Sequence, residues 1–220
     1  PAARVAAPGS LKFEITSSAG QTALAQSWRE QHALCNRPIW VAASTHQGED
    51  EPMLAAHAQL LQRLPDALLI LVPRHPERFQ SVAELIGATG LSTVRRSEQT
   101  PVRAETAVWL GDSMGELMSW LALAQAAFVG GSLVPRGGHN ALEPLALGVP
   151  ALTGPHDFNF ASINAELRAA GALQTVQDAA ELAQALHDLM TDPALAQLRR
   201  EAGLRVIAAN QGAVARQLAL

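Results

Sequence analysis

Five loops of this sequence gather the residues able to do chemistry. They are Ser44-Thr45-His46-Gln47-Gly48-Glu49, Pro73-Arg74-His75-Pro76-Glu77-Arg78, Gly111-Asp112-Ser113-Met114-Gly115-Glu116, Gly130-Gly131-Ser132 through Gly137-Gly138-His139-Asn140, and Gly154-Pro155-His156-Asp157-Phe158-Asn159. The fourth is the most informative. Its glycines let backbone approach a ligand, and a helix predicted to start near Asn140 offers free N–H groups to an anion. Ser44, Thr45 and His46, with Gly130, Gly131, Ser132, Gly138 and His139, form a candidate phosphate loop. It has neither the Gly-Lys-Ser/Thr of a Walker A motif nor a G-x-G-x-x-G after the first strand.

Two carboxylates carry two explanations each. Ser113-x-x-Glu116 fits a capping box and Asn140-x-x-Glu143 resembles one, so both glutamates suit a helix terminus. A first-turn Glu equally suits two ribose hydroxyls. Arg74 lies in a loop stiffened by Pro73 and Pro76, where a guanidinium could pair a phosphate, contact a base or simply face solvent. Ser44, His46 and Glu49 are sequence neighbours without a G-x-S-x-G elbow, which argues against a hydrolytic triad. No D-x-D pair is present, and no metal is expected at His139 or His156.

These loops need strands to end on. Continuous apolar runs occur at Pro38–Ala43, Ala67–Val72, Leu91–Val94, Ala107–Leu110, Ala126–Val129, Val149–Thr153 and Ala172–Val176. Runs of this kind, as opposed to alternating ones, suit strands covered on both faces. Helical patterns lie between them: Glu49–Arg63, Pro76–Ile86, Gly115–Ala124, Asn140–Leu147, Phe158–Ala170, Ala179–Met190 and Pro193 to about Ala209, the last continuing towards the C-terminus. The alternation predicts an α/β domain, a doubly wound parallel sheet whose ligands bind beyond the carboxyl ends of the strands. Residues 1–22 read as a linker with a candidate strand at Leu11–Ile15, residues 23–220 as the domain, and residues 95–106 as a mobile polar loop.

Composition narrows the classes. Hydrophobic residues are 48% and charged residues 16% of the 220, which excludes intrinsic disorder. The net charge of −4, with no basic stripe, argues against binding nucleic acid. The single Cys35 rules out a disulfide framework and is expected to be a small buried hydrophobe. No uninterrupted run reaches the about 18 apolar residues of a membrane helix; the nearest, Leu117–Val134, is broken by Gly130, Gly131 and Ser132. The chain opens on Pro1 without a visible signal peptide, and is expected to be part of a longer protein.

Taken together, the motifs resemble the 3-deoxy-D-manno-octulosonic acid (Kdo) transferases of lipopolysaccharide biosynthesis. The resemblance rests on Trp40 through Glu49, Leu69 through Phe79, Gly111 through Leu117, Phe128 through Pro144 and Gly154 through Phe160. It implies the Rossmann-like C-terminal half of a GT-B glycosyltransferase, the half that holds the nucleotide sugar. The implied reaction is inverting, metal-independent transfer of Kdo from CMP-Kdo to lipid A precursor, with no cofactor. The family's CMP contacts fall on Pro73 and Arg74, on Met114, Gly115 and Glu116, and on Asn140, Ala141, Leu142 and Glu143. Ala141 departs from the residue often found there, a change that a backbone contact would survive.

In the family the general base, acceptor site and membrane anchor belong to the N-terminal half. No catalytic residue is therefore expected in this chain, which alone should transfer no Kdo. The intact protein is expected at the cytoplasmic face of the bacterial inner membrane, and this portion to be soluble. A GT-B-fold nucleotide-sugar epimerase and a non-enzymatic α/β regulatory domain are the alternatives.

Overall fold

Seven strands form one sheet in which every pairing is parallel: β1 (Ile39–Thr45), β2 (Leu68–Pro73), β3 (Thr93–Arg95), β4 (Val108–Leu110), β5 (Ala126–Val129), β6 (Ala151–Thr153) and β7 (Leu173–Thr175). Their order is β3-β4-β2-β1-β5-β6-β7. The structure, a computed structural model, describes residues 18–32 and 34–210. The expected strands are all present, with ends moved by a residue or two. The helices are α1 (Ala19–Gln31), α2 (Asp50–Leu61), α3 (Phe79–Thr89), α4 (Leu117–Leu123), α5 (Leu142–Ala146), α6 (Ala161–Ala169), α7 (Ala179–Thr191) and α8 (Pro193–Asn210).

Successive strand residues face opposite sides of a sheet, and here both sides are covered. Trp40, Ala42, Leu69, Leu71 and Phe128 pack with α2, α3 and α7. Their neighbours Val41, Ala43, Ile70, Val72 and Ala127 pack with α1 and α4. A third cluster joins α5, α6 and α8 to Val129, Ala151 and Leu173. The largest buried side chains include Trp40, Trp109, Trp120 and Phe128. Truncating one of these to Ala would cost roughly 3–5 kcal/mol.

Helix α1 was not anticipated. It begins at Ala19 and runs on past residue 22, across the expected linker boundary. Its signal was a capping box: Ser18 accepts from the Gln21 amide, and the Gln21 side chain accepts from the Ser18 amide. Its Trp28 stacks on Trp120 with centroids 4.1 Å apart and meets Trp109 edge-on at 5.5 Å.

Three further expectations change. Cys35 is exposed, because it sits in the turn before β1 and not in the strand. Residues 95–106 are tied down at their start: Arg95 and Ser97 bind Asp112, and Arg96 binds Glu116. Helix α5 is only Leu142–Ala146, shorter than its pattern suggested. The candidate strand at Leu11–Ile15 and the chain after Asn210 lie outside the described residues.

Strand β1 has β2 on one side and β5 on the other. The chain builds outward from β1 to β3 and β4, then returns to lay β5 on its other edge. That reversal opens a crevice beyond the strands' carboxyl ends, where ligands of open α/β sheets bind.

Candidate functional site

A cavity of about 280 Å³ occupies this crevice. Ser44, next to last in β1, lies above it, Pro73 and Arg74 come from the β2 exit, Met114 and Gly115 from the β4 exit, and His139, Asn140 and Glu143 from the segment after β5. Val72, Ser113, Leu117 and Phe160 complete the wall; none was a candidate binding residue, Ser113 being read as a helix cap. Met114 and Phe158 are large apolar side chains exposed on this edge.

The loops are knitted to one another. Strand β1 bulges between Ala43 and Thr45, and Ser44 takes the left-handed φ of 58°. A Cβ on Gly130 would lie 2.4 Å from the Ser44 carbonyl oxygen, so only glycine lets β5 leave the sheet so close to β1. The Arg74 amide donates to the Thr45 carbonyl at 3.0 Å, and Arg78 donates to the same carbonyl at 2.8 Å while pairing with Asp50. Arg74 is thus anchored by its backbone with its guanidinium left exposed.

The candidate phosphate loop behaves differently from expectation. Glu49, fully buried, fills the concavity of the loop: its carboxylate accepts from the amides of Gly131 at 2.6 Å, Ser132 at 2.9 Å and Leu133 at 2.9 Å, and from His46 at 2.9 Å. The amides of Gly130, Gly138 and His139 donate to backbone carbonyls. A buried carboxylate needs such donors, and consecutive turn amides make an anion-binding concavity. The amides assigned to the phosphate are therefore engaged by a carboxylate of the protein itself. Of the Gly-rich segment only His139 and Asn140 reach the cavity wall, and the charge facing the cavity comes from side chains.

Other candidates sort by the same test. Thr45 is buried and its hydroxyl donates to Asp50 at 2.7 Å. Ser132 is buried, donating to the Val129 carbonyl at 2.6 Å and accepting from the Gly154 amide at 2.8 Å. Ala141 and Leu142 lie in the third core cluster, with the Leu142 amide held by Asn140 Oδ1 at 3.2 Å. Glu116 does not line the cavity. Arg96 grips both its oxygens, at 3.2 and 3.0 Å, and Ser113 donates to one of them. Arg96 also lies over Trp28 at 5.1 Å, so this carboxylate fixes the Met114-Gly115 turn from behind.

Glu143, by contrast, faces the cavity. Burial pushes its carboxyl up from the ordinary value, and nearby Arg74 partly offsets this. His139 is pushed down to about 4, by burial first and then by His46, Arg74 and His75. His46 is lowered by burial, with Glu49 opposing. An exposed guanidinium, a half-buried carboxyl and neutral imidazoles can take a phosphate on one side and hydroxyls on the other. Among the described residues no group of three or more His, Cys, Asp or Glu side chains could hold a metal ion. Likewise no described helix is long and apolar enough to cross a membrane.

Comparison with known proteins bears on the family and the fold. No family model matches the chain. The 3-deoxy-D-manno-octulosonic acid transferase of Haemophilus influenzae is 47% identical over 186 residues, covering 84% of this chain and 44% of that protein. The chain spans about half the length of the curated relatives it matches. Among solved structures, the C-terminal CMP-Kdo binding domain of WaaA from Acinetobacter baumannii superposes with a TM-score of 0.84 at 39% identity, over 86% of this chain and 99% of that one. A glycosyltransferase from Rickettsia africae shares the fold at a TM-score of 0.64 and 16% identity, over 93% of this chain and 51% of that one.

Proposed function

Because the chain belongs to the Kdo transferase family and matches its C-terminal domain, we propose that the cavity binds CMP-Kdo and that the protein serves Kdo transfer to lipid A precursor. One observation carries this reading: Arg74, the Met114-Gly115 turn and the Asn140–Glu143 segment, far apart in sequence, converge on one cavity of nucleotide dimensions. In the reaction an acceptor hydroxyl oxygen bonds to the anomeric carbon of Kdo as the bond from that carbon to the CMP phosphate oxygen breaks, inverting the centre. The leaving phosphate gains charge, and Arg74 stands beside it, so stabilisation grows along the reaction. Glu143 accepts the two ribose hydroxyls. The transfer needs no metal on this reading, since the phosphate is met by a cationic side chain.

The base that takes the acceptor proton, the lipid acceptor site and the contact with the cytoplasmic face of the inner membrane belong, in this proposal, to the other half of the enzyme. Incubating this chain alone with CMP-Kdo and lipid A precursor should give no product. Calorimetric titration tests the donor assignment. CMP should bind, with UMP and UDP at least tenfold weaker. Preference for UDP would favour a nucleotide-sugar epimerase, and no nucleotide affinity at all would favour a non-enzymatic domain.

A further inference from the structure

Behind Arg74, two imidazole rings meet edge to edge. The Nε2 atoms of His46 and His139 are 2.8 Å apart, with the ring planes 9° from parallel and the centroids 5.0 Å apart. A third ring, His75, stands at 74° to His46 with centroids 5.2 Å apart. Two nitrogens this close cannot both carry protons, and two bare lone pairs would repel. One proton must lie between them, one nitrogen donating and the other accepting. That leaves each Nδ1 to settle the charge of the pair. His139 lines the cavity, and its Nδ1 has no hydrogen-bond partner among the described residues.

From this contact we infer that the His46–His139 pair is a proton site of the donor pocket: an anionic phosphate bound beside Arg74 draws one proton from bulk solvent onto Nδ1 of His139. In that state His139 donates through Nε2 to His46, which stays neutral as its Nδ1–H tautomer. The pair goes from two ring protons to three, and no covalent bond changes. His139 is then a second cationic contact for the phosphate, and His46 a positioning residue that acts through it.

The surroundings are consistent with a proton that arrives only with an anion. His139 faces His46, Arg74 and His75, and burial together with these neighbours keeps it neutral when the pocket is empty. His46 faces Glu49, His75, Arg136 and Arg78, of which only Glu49 favours its charged form. The Glu49 carboxylate is occupied by four backbone amides. Glu143 shares the cavity and is itself held towards its neutral form by burial. A phosphate dianion is the added charge that reverses this balance.

The inference rests on the nucleotide reading of the cavity, and one experiment separates the two. CMP is titrated calorimetrically at pH 7.5 in buffers of different ionisation enthalpy; its phosphate is then already a dianion, since the second pKa of such esters is about 6. The slope of heat against buffer enthalpy counts protons taken up. An adjacent opposite charge raises the pKa of a group by about 1–3, so we expect uptake of a few tenths of a proton per CMP at roughly pH 7.5, none for cytidine, none for CMP with His139→Gln, and the wild-type uptake with His75→Gln. His46→Gln, whose amide can still accept from His139, should keep the uptake; His46→Met should lose most of it and bind CMP several-fold more weakly. Thermal melting establishes that each variant is folded. CMP binding to the wild-type protein with no buffer dependence overturns the inference and leaves the nucleotide site standing. Uptake that persists in His139→Gln also overturns it, since the proton then goes elsewhere. No heat of CMP binding at all overturns both.

Discussion

Glu49 and Gly131 lie 82 residues apart in sequence, and the carboxylate of one accepts from the amide of the other at 2.6 Å. This contact joins the β1 exit to the β5 exit, the two loops between which the cavity opens. Glu49→Ala would leave the amides of Gly131, Ser132 and Leu133 without their partner. An unsatisfied buried donor costs roughly 1–3 kcal/mol, so the variant should lose at least about 3 kcal/mol in urea denaturation. Glu49→Gln, keeping one acceptor oxygen, should lose less. Equal stability of the Ala variant and wild type would mean that water replaces the carboxylate without cost.

Arg74 is backbone-anchored and exposed, so its charge is available with little ordering on binding. Arg74→Lys keeps the charge but loses the planar fork. CMP should bind about tenfold more weakly, equivalent to roughly 1.4 kcal/mol, while cytidine should bind both forms poorly and alike. If cytidine and CMP lose affinity equally, Arg74 reads base or sugar and not phosphate.

Glu143→Gln tests the ribose contact. Hydrogen bonds to charged groups contribute about 1.5–3 kcal/mol, so CMP affinity should fall at least tenfold with little change in melting temperature of the unliganded protein. The corresponding 2′,3′-dideoxynucleotide should bind the two forms alike. A variant that melts lower but keeps its CMP affinity would remove Glu143 from the nucleotide contacts.

His57 gives a pH signature independent of the site. It is fully buried, accepts from Trp40 Nε1 at 3.1 Å at Nδ1, and donates from Nε2 to the Ala107 carbonyl at 2.8 Å. Burial pushes it down to about 4, against about 6.5 in the unfolded chain. Its folded form thus binds its proton more weakly than the unfolded one. The contribution is fully present above pH 6.5 and is lost as pH falls from 6.5 to 4, on the order of 3 kcal/mol in all. Denaturation at pH 7.5 and 4.5 should show that loss, and His57→Gln should flatten the profile.

Much of the fold was legible because parallel strands leave a coarse mark. Runs such as Leu68 through Val72 are apolar at every position, since α1 and α4 take one set of side chains and α2, α3 and α7 the other. Helix α1 escaped because Trp28 and Ala25 are its only buried residues, too few to make a periodic stripe. Of the candidate site, the loops that surround the cavity were legible, but the partners of their residues were not. Glycines at 130 and 131 announce a close approach without saying what approaches; here it is Ser44 on one side and Glu49 on the other. Glu116 and Glu143 share one spacing pattern, yet Arg96 holds the first away from the cavity, while the carboxylate of the second has no hydrogen-bond partner among the described residues. Such distinctions arise between loops remote in sequence, where spacing carries no information.

The pairing of Trp40 with Ala126, which seats β5 against β1, bears on how the protein acquires its binding site. Nearly half the described chain must be looped out before these two strands can meet, and closing so long a loop slows folding. The cavity needs β2, β4 and β5 side by side with β1, so no partly folded form that lacks this closure presents Arg74 and Glu143 together. Nucleotide should therefore bind only completed molecules and raise their stability by mass action, about 2.7 kcal/mol at a hundredfold excess over Kd. During refolding, the appearance of nucleotide affinity would time the closure of the sheet.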